Sequence, residues 1–271
     1  MTNAWNETTG LKELEDSAPL LGDLPGLRLR LQESGYLFFR GLFEPEALLR
    51  IREDMLRTAN KHGILKEGKE LMDAIYAGGE IPTSYKFEAS LLYRDMLEQE
   101  RFNAFGSHPL LALLLGGLLN GPIREHRRRI ARITFPGSFG NTTPIHQDHY
   151  YIRGAMDTYT CWIPCGDCPA ELGGLAVLEG SHKLGFLPHV PMSGTGGRGI
   201  EETEAIRDGK WLSTDYRLGD LLLFHGLTLH KALHNITPDK LRLSLEYRLQ
   251  RSGDPIDDAS LRSHYTADSI G

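Results

Sequence analysis

The sequence predicts a mainly β protein with a jelly-roll core and helical additions. From about Ile130 the chain consists of short β-rich runs separated by turn residues, a pattern typical of a jelly roll. The runs are RIARITF, TYTCWIPC, GGLAVLEG, KWLSTDYRLGDLLLFH and RLSLEYRLQ. Before that point the apolar residues recur mainly at helical spacing. Hydrophobic residues make up 40% and charged residues 24% of the 271 positions, which is ordinary for a globular protein, and we expect a single domain.

The elements before the jelly roll begin with a polar arm. Residues 1–25 contain scattered Gly and Pro, and we expect them to fray or to lie along the surface. The run GYLFFRGLF at 35–43 predicts a short buried strand. Pro45 then opens a helix. Its apolar residues at helical spacing are Leu48, Ile51, Met55 and Ala59.

A second helix is predicted shortly before the jelly roll. Ser107 is its expected N-cap, Pro109 lies in its first turn, and the run LLALLLGGLL carries it to about Gly121. We see no linker or internal repeat that would divide the chain. The expected organisation is an arm at 1–25, a mostly helical support at 26–125, the jelly roll at 126–250 and a C-terminal tail at 251–271.

The charge and cysteine content restrict the partners and the compartment. A formal net charge of -6 disfavours nucleic acid as a partner. No apolar run approaches the ~20 residues that cross a bilayer, and the start of the chain does not resemble a secretory signal. Three cysteines, Cys161, Cys165 and Cys168, do not suit a disulfide framework. They are also too few for a four-cysteine zinc site at the CxxC. We expect a cytoplasmic protein that acts on a small molecule; the sequence does not define its oligomeric state.

A possible metal site is indicated by His146 and Asp148. In a strand, residues at i and i+2 point to the same face, so both side chains of this HxD pair can approach one ion. With 11 His and 16 Asp in the chain, however, chance alone supplies about 0.65 such pairs. A third ligand is needed, as in a 2-His-1-carboxylate triad for Fe(II). Spacing does not choose among His225, His230 and His234.

Three stretches of the chain resemble the phytanoyl-CoA dioxygenase family of Fe(II)- and 2-oxoglutarate-dependent oxygenases. They are TTPIHQDHYY, GGLAVLEGSHKLG and GDLLLFHGLTLHKALHN, and the similarity extends over roughly residues 30–250, especially to bacterial natural-product hydroxylases. The resemblance implies a cupin-like double-stranded β-helix, Fe(II) as the metal, and 2-oxoglutarate and O2 as co-substrates. It also implies that His230 is the third ligand, while His225 packs or orients. Because halogenases of this kind carry a small residue in place of the carboxylate, Asp148 argues against halogenation.

The strand RLSLEYRLQ supplies a candidate site for 2-oxoglutarate. Alternation places Arg242 and Ser244 on one face, and a guanidinium suits the C5 carboxylate because it makes two charge-assisted hydrogen bonds. The RxS arrangement, twelve residues past His230, also resembles the co-substrate arginine of the family. The resemblance further implies Trp162 and Arg132 as co-substrate contacts. Arg132 also lies in a basic run whose simpler interpretation is a solvated face.

Candidate substrate contacts lie on either side of the predicted metal site in the sequence. If the strand of the HxD pair continues, alternation turns Tyr150 inward with the ligands. Lys86 and Phe87, in SYKFEAS, are candidates for a loop over the mouth of the pocket.

The predicted function is hydroxylation of an unactivated C–H bond of a small, largely apolar metabolite, with release of succinate and CO2. Desaturation, ring closure and epoxidation remain open, because the same iron chemistry serves all of them. Two other functions stay as alternatives. A nucleic-acid dealkylase would share the triad but needs a basic, aromatic-rich surface, which the acidic balance disfavours. A non-catalytic β-barrel that binds a metal or a small molecule would share the architecture without turnover.

Overall fold

The computed structural model describes residues 10–81, 83–88 and 90–265. The helices are α1 Leu24–Ser34, α2 Pro45–Lys61, α3 Ser84–Glu88, α4 Leu91–Leu97, α5 Glu100–Phe105, α6 Pro109–Leu119, α7 His149–Ile152 and α8 Glu204–Arg207. The strands are β1 Lys12–Glu13, β2 Tyr36–Phe39, β3 Ile123–Glu125, β4 Ile130–Thr134, β5 Thr158–Pro164, β6 Leu175–Leu178, β7 Val190–Pro191, β8 Arg198–Gly199, β9 Trp211–Ser213, β10 Leu221–His225, β11 His230–Ala232 and β12 Arg242–Arg251.

Two sheets pack face to face and form the predicted jelly roll. The larger sheet has the order β2-β10-β5-β12-β3, with β4 also paired to β12, and the smaller has the order β1-β9-β6-β11. Apolar side chains from both sheets meet in one cluster, for example Trp162 and Phe224 with Leu175 and Ala232. The mainly β fold class with helical additions is confirmed.

Strand β12 separates the helical layer from the interior between the sheets. Its residues alternate as predicted: Leu243 and Leu245 belong to the main apolar core, which also contains Ile51 and Met55 of α2 and Leu115 of α6. The opposite face of β12 carries its polar residues into the interior of the jelly roll. The helices therefore stabilise one face of the larger sheet, and the other face is free to build a site.

Both predicted helices are present, but their details differ from the prediction. Helix α2 begins at Pro45 and buries the four predicted apolar residues. The N-cap prediction for α6 is wrong, because His108 occupies that position and its ring accepts a hydrogen bond from Leu110 N. The arm lies along the surface from residue 10 onward, with β1 paired to β9. Helix α1 was not predicted, because its apolar residues do not concentrate on one face.

One helical stretch, Glu100–Leu119, is long and apolar enough to span a membrane by length and composition alone. It is divided between α5 and α6. Leu111 and Leu115 are fully buried in the main core. Leu113 of the same helix is exposed, so one side of α6 packs in the core and the other does not.

A pH-dependent contribution to stability is expected from His126, which is fully buried beside Gln250. Burial lowers the pKa of His126 from 6.5 to about 4, although the hydrogen bond to Gln250 opposes this. The unfolded chain therefore binds more protons between these values, and stability present above pH 6.5 is lost as the pH falls. Between pH 7 and pH 5, protonation linked to His126 should lower the free energy of unfolding by about 2 kcal/mol. Urea unfolding at both pH values should show a smaller decrease in the free energy of unfolding for His126→Gln than for the wild type. An equal decrease in the two proteins would contradict this.

Candidate metal centre and co-substrate pocket

His146 and His230 lie directly opposite each other in an antiparallel bridge to β11. His146 N donates to His230 O at 3.0 Å, and the reverse bond is 3.1 Å. Opposed residues project their side chains to the same face, and the two ring centroids are 4.0 Å apart. Asp148 completes the cluster, with Oδ1 3.6 Å from Nε2 of His146 and 3.9 Å from Nε2 of His230. All three side chains are buried.

The hydrogen bonds of the two rings leave their Nε2 atoms for a metal. His146 Nδ1 donates to Pro144 O at 2.8 Å, and His230 Nδ1 donates to Thr228 O at 3.0 Å. A neutral imidazole that donates from Nδ1 has its lone pair on Nε2. Burial and the nearby His146 ring lower the pKa of His230 to about 3, which favours the neutral form. Two neutral imidazoles and a carboxylate, with ligand atoms within 4.8 Å of one another, fit the facial triad that binds Fe(II).

The HxD pair does not lie in a continuous strand. His146 forms only an isolated bridge, and Asp148 has helical backbone angles, φ -60° and ψ -31°, immediately before α7. The expectation of a strand through these positions is therefore wrong. The carboxylate approaches the histidines because the chain turns between residues 146 and 148.

Gln147 anchors this turn, a role that the sequence did not indicate. Its side-chain amide donates to Gly185 O and to Leu227 O, both at 2.8 Å. Its carbonyl oxygen accepts from Leu187 N at 2.9 Å. Because Gln147 is fully buried and all three bonds reach other loops, it holds the neighbouring ligands in place.

The Asp148 carboxylate is held by residues of the larger sheet. Thr160 donates its hydroxyl to Oδ2 at 2.5 Å. Arg248 donates from Nε to Oδ2 at 3.2 Å and from Nη2 to Oδ1 at 3.3 Å. Burial by itself raises the pKa of Asp148, but Arg248 and the two histidines more than offset this and hold its pKa well below the usual range. The carboxylate is therefore ionised, as a metal ligand must be.

The other two candidate histidines lie outside the triad. His225 Nε2 is 3.4 Å from Asp157 Oδ1, and its Nδ1 accepts from Leu227 N. His234 Nδ1 is 2.7 Å from the hydroxyl of Thr142. This geometry supports His230 as the third ligand, as the family resemblance implies.

The triad opens into a cavity of about 190 Å³ that is also lined by three of the four predicted co-substrate residues, Arg132, Trp162 and Arg242. Arg242, 2% exposed, donates from Nη1 to Ser244 Oγ at 2.7 Å and lies over the Trp162 ring. Arg242 Nε and Trp162 Nε1 are both buried donors without a hydrogen-bond partner among the described residues. Unpaired buried donors are costly, so their presence beside the triad fits a site for a carboxylate ligand.

Arg132 also lines this cavity, but it is already paired with an acid. Its Nε lies 3.0 Å from Oε1 of Glu246, and Oε2 of Glu246 accepts from Arg248 at 3.0 Å. A series of alternating charges thus runs from Arg132 through Glu246 and Arg248 to Asp148. The role of Arg132 toward the co-substrate stays a prediction. Alternation along β12 placed Glu246 and Arg248 on this face, but nothing in the sequence indicated their pairing.

The tyrosines after the triad are arranged differently from the prediction. Residues 149–152 form helix α7, so alternation does not apply. Tyr151 lines the cavity and donates its hydroxyl to Arg198 O at 2.9 Å. Tyr150 stacks on His189, with ring centroids 4.3 Å apart, and does not line the cavity. The inward orientation predicted for Tyr150 is therefore wrong, and Tyr151 takes that position.

Lys86 and Phe87 lie in helix α3 rather than in a loop. Lys86 is exposed and lines neither cavity on this side of the molecule. Phe87 is buried and lines a smaller cavity of about 40 Å³, which shares Arg132 and Arg242 with the larger one. A substrate contact by Phe87 stays a prediction that this position supports, whereas the position of Lys86 does not support one.

The three cysteines form no metal cluster among the residues that the structure describes, where only the His–Asp–His triad has metal-binding geometry. All three are buried free thiols. Burial raises the pKa of Cys168 to about 11. Buried, protonated thiols are weak nucleophiles and weak metal ligands, which agrees with a packing role.

Comparison with known families and proteins gives consistent matches over most of the chain. The family model described as Phytanoyl-CoA dioxygenase (PhyH) matches residues 31–243. A 1-deoxypentalenic acid 11-beta-hydroxylase from Streptomyces exfoliatus is 28% identical over 259 residues, covering 90% of this chain and 87% of the relative. The enzyme of the same description from Streptomyces arenae is 29% identical over 255 residues, with the same coverage.

Solved structures share the fold at lower identity. The epimerase SnoN, in complex with Fe3+, alpha ketoglutarate and nogalamycin RO, is 19% identical with a TM-score of 0.62, covering 88% of each chain. The alpha ketoglutarate dependent carbocyclase SnoK from nogalamycin biosynthesis is 17% identical with a TM-score of 0.58, covering 84% of each chain. These similarities establish the architecture of the chain.

Proposed function

Because this chain belongs to the phytanoyl-CoA dioxygenase family, we propose that it is an Fe(II)- and 2-oxoglutarate-dependent dioxygenase that hydroxylates a small, largely apolar metabolite. The observation that carries the proposal is the position of the triad. His146, Asp148 and His230 open into the cavity that also holds Arg242 and Trp162, and the buried donors Arg242 Nε and Trp162 Nε1 have no hydrogen-bond partner in the part of the chain that the structure describes. A metal site and an anion site in one cavity suit a co-substrate that binds to both.

Each residue of the cavity has a distinct part in this proposal. His146, Asp148 and His230 would hold Fe(II). Arg242, supported by Ser244, would hold the C5 carboxylate of 2-oxoglutarate through charge-assisted hydrogen bonds. Trp162 contributes a further donor and an apolar wall. Bound iron would let O2 act as the oxidant, with two electrons taken from 2-oxoglutarate as it becomes succinate and CO2 and two from the C–H bond that is hydroxylated, while the protein orients the substrate and limits access of water.

Arg128 supports a substrate that carries an acid group. It lines the cavity, and among the described residues no hydrogen bond or salt bridge engages its guanidinium, although Glu88 and Asp148 attract it at longer range. Arg132 and Arg248, by contrast, are paired with acids. A half-buried cation that makes no direct contact with an acid would be stabilised by an anionic ligand. The hydroxylases that resemble this chain are described as acting on an acid, 1-deoxypentalenic acid. A small carboxylic acid with an apolar skeleton is therefore the proposed substrate class.

The proposal is tested by measuring succinate from the protein with Fe(II), 2-oxoglutarate, ascorbate and O2. A panel of terpenoid carboxylic acids is compared with the corresponding methyl esters. Substrate-dependent succinate and a hydroxylated product are expected from at least one acid, with a weaker response from its ester because the ester lacks the charge. Absence of 2-oxoglutarate binding would contradict the function. Equal turnover of acid and ester would contradict the role of Arg128.

A further inference from the structure

Asp148 differs from the two histidines in having two atoms that can bind a metal. We propose that Thr160 and Arg248 are positioning residues that restrict Asp148 to one metal-binding oxygen, Oδ1. The inference rests on the proposed function, because it concerns how many positions of the iron remain open. Thr160 lies within the residues matched by the family model and Arg248 lies beyond them.

The hydrogen bonds of the carboxylate divide its two oxygens into different roles. Each carboxylate oxygen has two lone-pair sites. On Oδ2 both are engaged, one by the hydroxyl of Thr160 at 2.5 Å and one by Nε of Arg248 at 3.2 Å. On Oδ1 one is engaged, by Nη2 of Arg248 at 3.3 Å. The remaining lone pair of Oδ1 is the one available to a metal between His146 and His230, whose Nε2 atoms both lie near this oxygen.

The two positioning residues are themselves fixed. Thr160 and Arg248 are direct cross-strand partners in β5 and β12, so they approach the carboxylate side by side. Arg248 also donates to Glu246 Oε2 at 3.0 Å and to the carbonyl of Arg128 at 3.4 Å. Thr160 and Arg248 are 1% and 5% exposed. A guanidinium held on three sides in a buried site keeps its orientation when the carboxylate binds a metal.

The number of open positions on the metal depends on this restriction. An octahedral ion held by two imidazoles and one carboxylate oxygen keeps three positions, two for the chelating end of 2-oxoglutarate and one for O2. If Asp148 bound through both oxygens, only two positions would remain. Thr160 and Arg248 would thereby keep enough positions on the metal open for the co-substrate and O2, without contacting the co-substrate.

The test uses two conservative variants of the whole 271-residue chain. Thr160→Val removes the hydroxyl with little change of shape, and Arg248→Lys keeps the charge but removes the planar pair of donors. Calorimetric titration measures the Kd for Co(II), and then the Kd for 2-oxoglutarate on the Co(II)-loaded protein. In each variant the Kd for Co(II) should stay within about threefold of the wild-type value. The Kd for 2-oxoglutarate should rise by about tenfold or more.

The matched control is Thr158→Val. Thr158 lies two residues away on β5, is equally buried, and donates to Ala155 O rather than to Asp148. The affinities of the Thr158→Val protein for Co(II) and 2-oxoglutarate should equal those of the wild type. A merely structural role for Thr160 and Arg248 would instead weaken the binding of metal and co-substrate together, or neither, and either result would overturn the proposal.

A measurement on the wild type keeps the proposal testable if the variants do not fold. A crystal structure of the Mn(II)-loaded protein should have Asp148 bound through Oδ1 alone, with Oδ2 still accepting from Thr160. Coordination through both oxygens would overturn the inference. If the wild-type protein binds metal but not 2-oxoglutarate, the proposed function fails. If it binds both and the variants behave like it, only the positioning role fails.

Discussion

Replacing His230 with alanine should abolish binding of Fe(II) at one ion per chain and reduce substrate-dependent succinate formation by at least about a hundredfold. The reason is geometric, because Asp148 Oδ1 and His146 Nε2 alone cannot form a facial triad. Loss of a residue that only supports a ligand typically costs 10- to 100-fold in metal affinity or in activity, so loss of a ligand should cost at least as much in both. Iron analysis of the desalted protein and the succinate assay measure both effects.

His225→Ala is the control for this variant. His225 lies five residues earlier, at the end of the preceding strand β10, and contacts Asp157 rather than the triad. The His225→Ala protein should retain iron at the wild-type stoichiometry. Loss of iron in the His225 variant together with retention in the His230 variant would reverse the assignment of the third ligand.

Replacing Arg242 with methionine should raise the Kd for 2-oxoglutarate by about 10- to 100-fold while leaving the affinity for iron unchanged. Hydrogen bonds to a charged group contribute about 1.5 to 3 kcal/mol, which corresponds to that range. The same variant should not lower the melting temperature of the metal-free protein. Arg242 is a buried cation whose pKa is lowered by burial, and its Nε has no partner among the described residues, so its removal relieves an unfavourable desolvation.

Arg251→Met is the matched control, since Arg251 ends the same strand, is exposed and pairs with Asp254. Its affinity for 2-oxoglutarate should equal that of the wild type. A lower melting temperature combined with an unchanged Kd for 2-oxoglutarate in Arg242→Met would assign Arg242 to the fold instead of the site.

The parts of the site that depend on regular periodicity were predictable from the sequence. Period-2 alternation along RLSLEYRLQ placed Arg242 and Ser244 toward the interior, and β12 has this arrangement. The jelly roll followed from the turn residues between the β-rich runs, and the family assignment from the GGLAVLEG and FHGLTLH segments is confirmed by the match over residues 31–243.

The parts that depend on irregular backbone were not predictable. The turn between His146 and Asp148 ends the alternation, so Tyr151 rather than Tyr150 lines the cavity. The bonds of Thr160 and Arg248 to Asp148 join segments 12 and 100 residues away in the chain. Such contacts arise because the turn before α7 packs against the larger sheet, and they leave no local signature. They nevertheless determine how the metal-binding carboxylate is held.

The central claim is that one cavity binds both Fe(II) and 2-oxoglutarate, and anaerobic titration tests it most directly. The protein loaded with one Fe(II) per chain is titrated with 2-oxoglutarate while its visible charge-transfer absorption and its binding heat are recorded. We predict saturation at one 2-oxoglutarate per iron, with the absorption absent in His230→Ala and shifted to higher concentrations in Arg242→Met. An iron-loaded wild-type protein that gives neither absorption nor saturable heat would contradict the account.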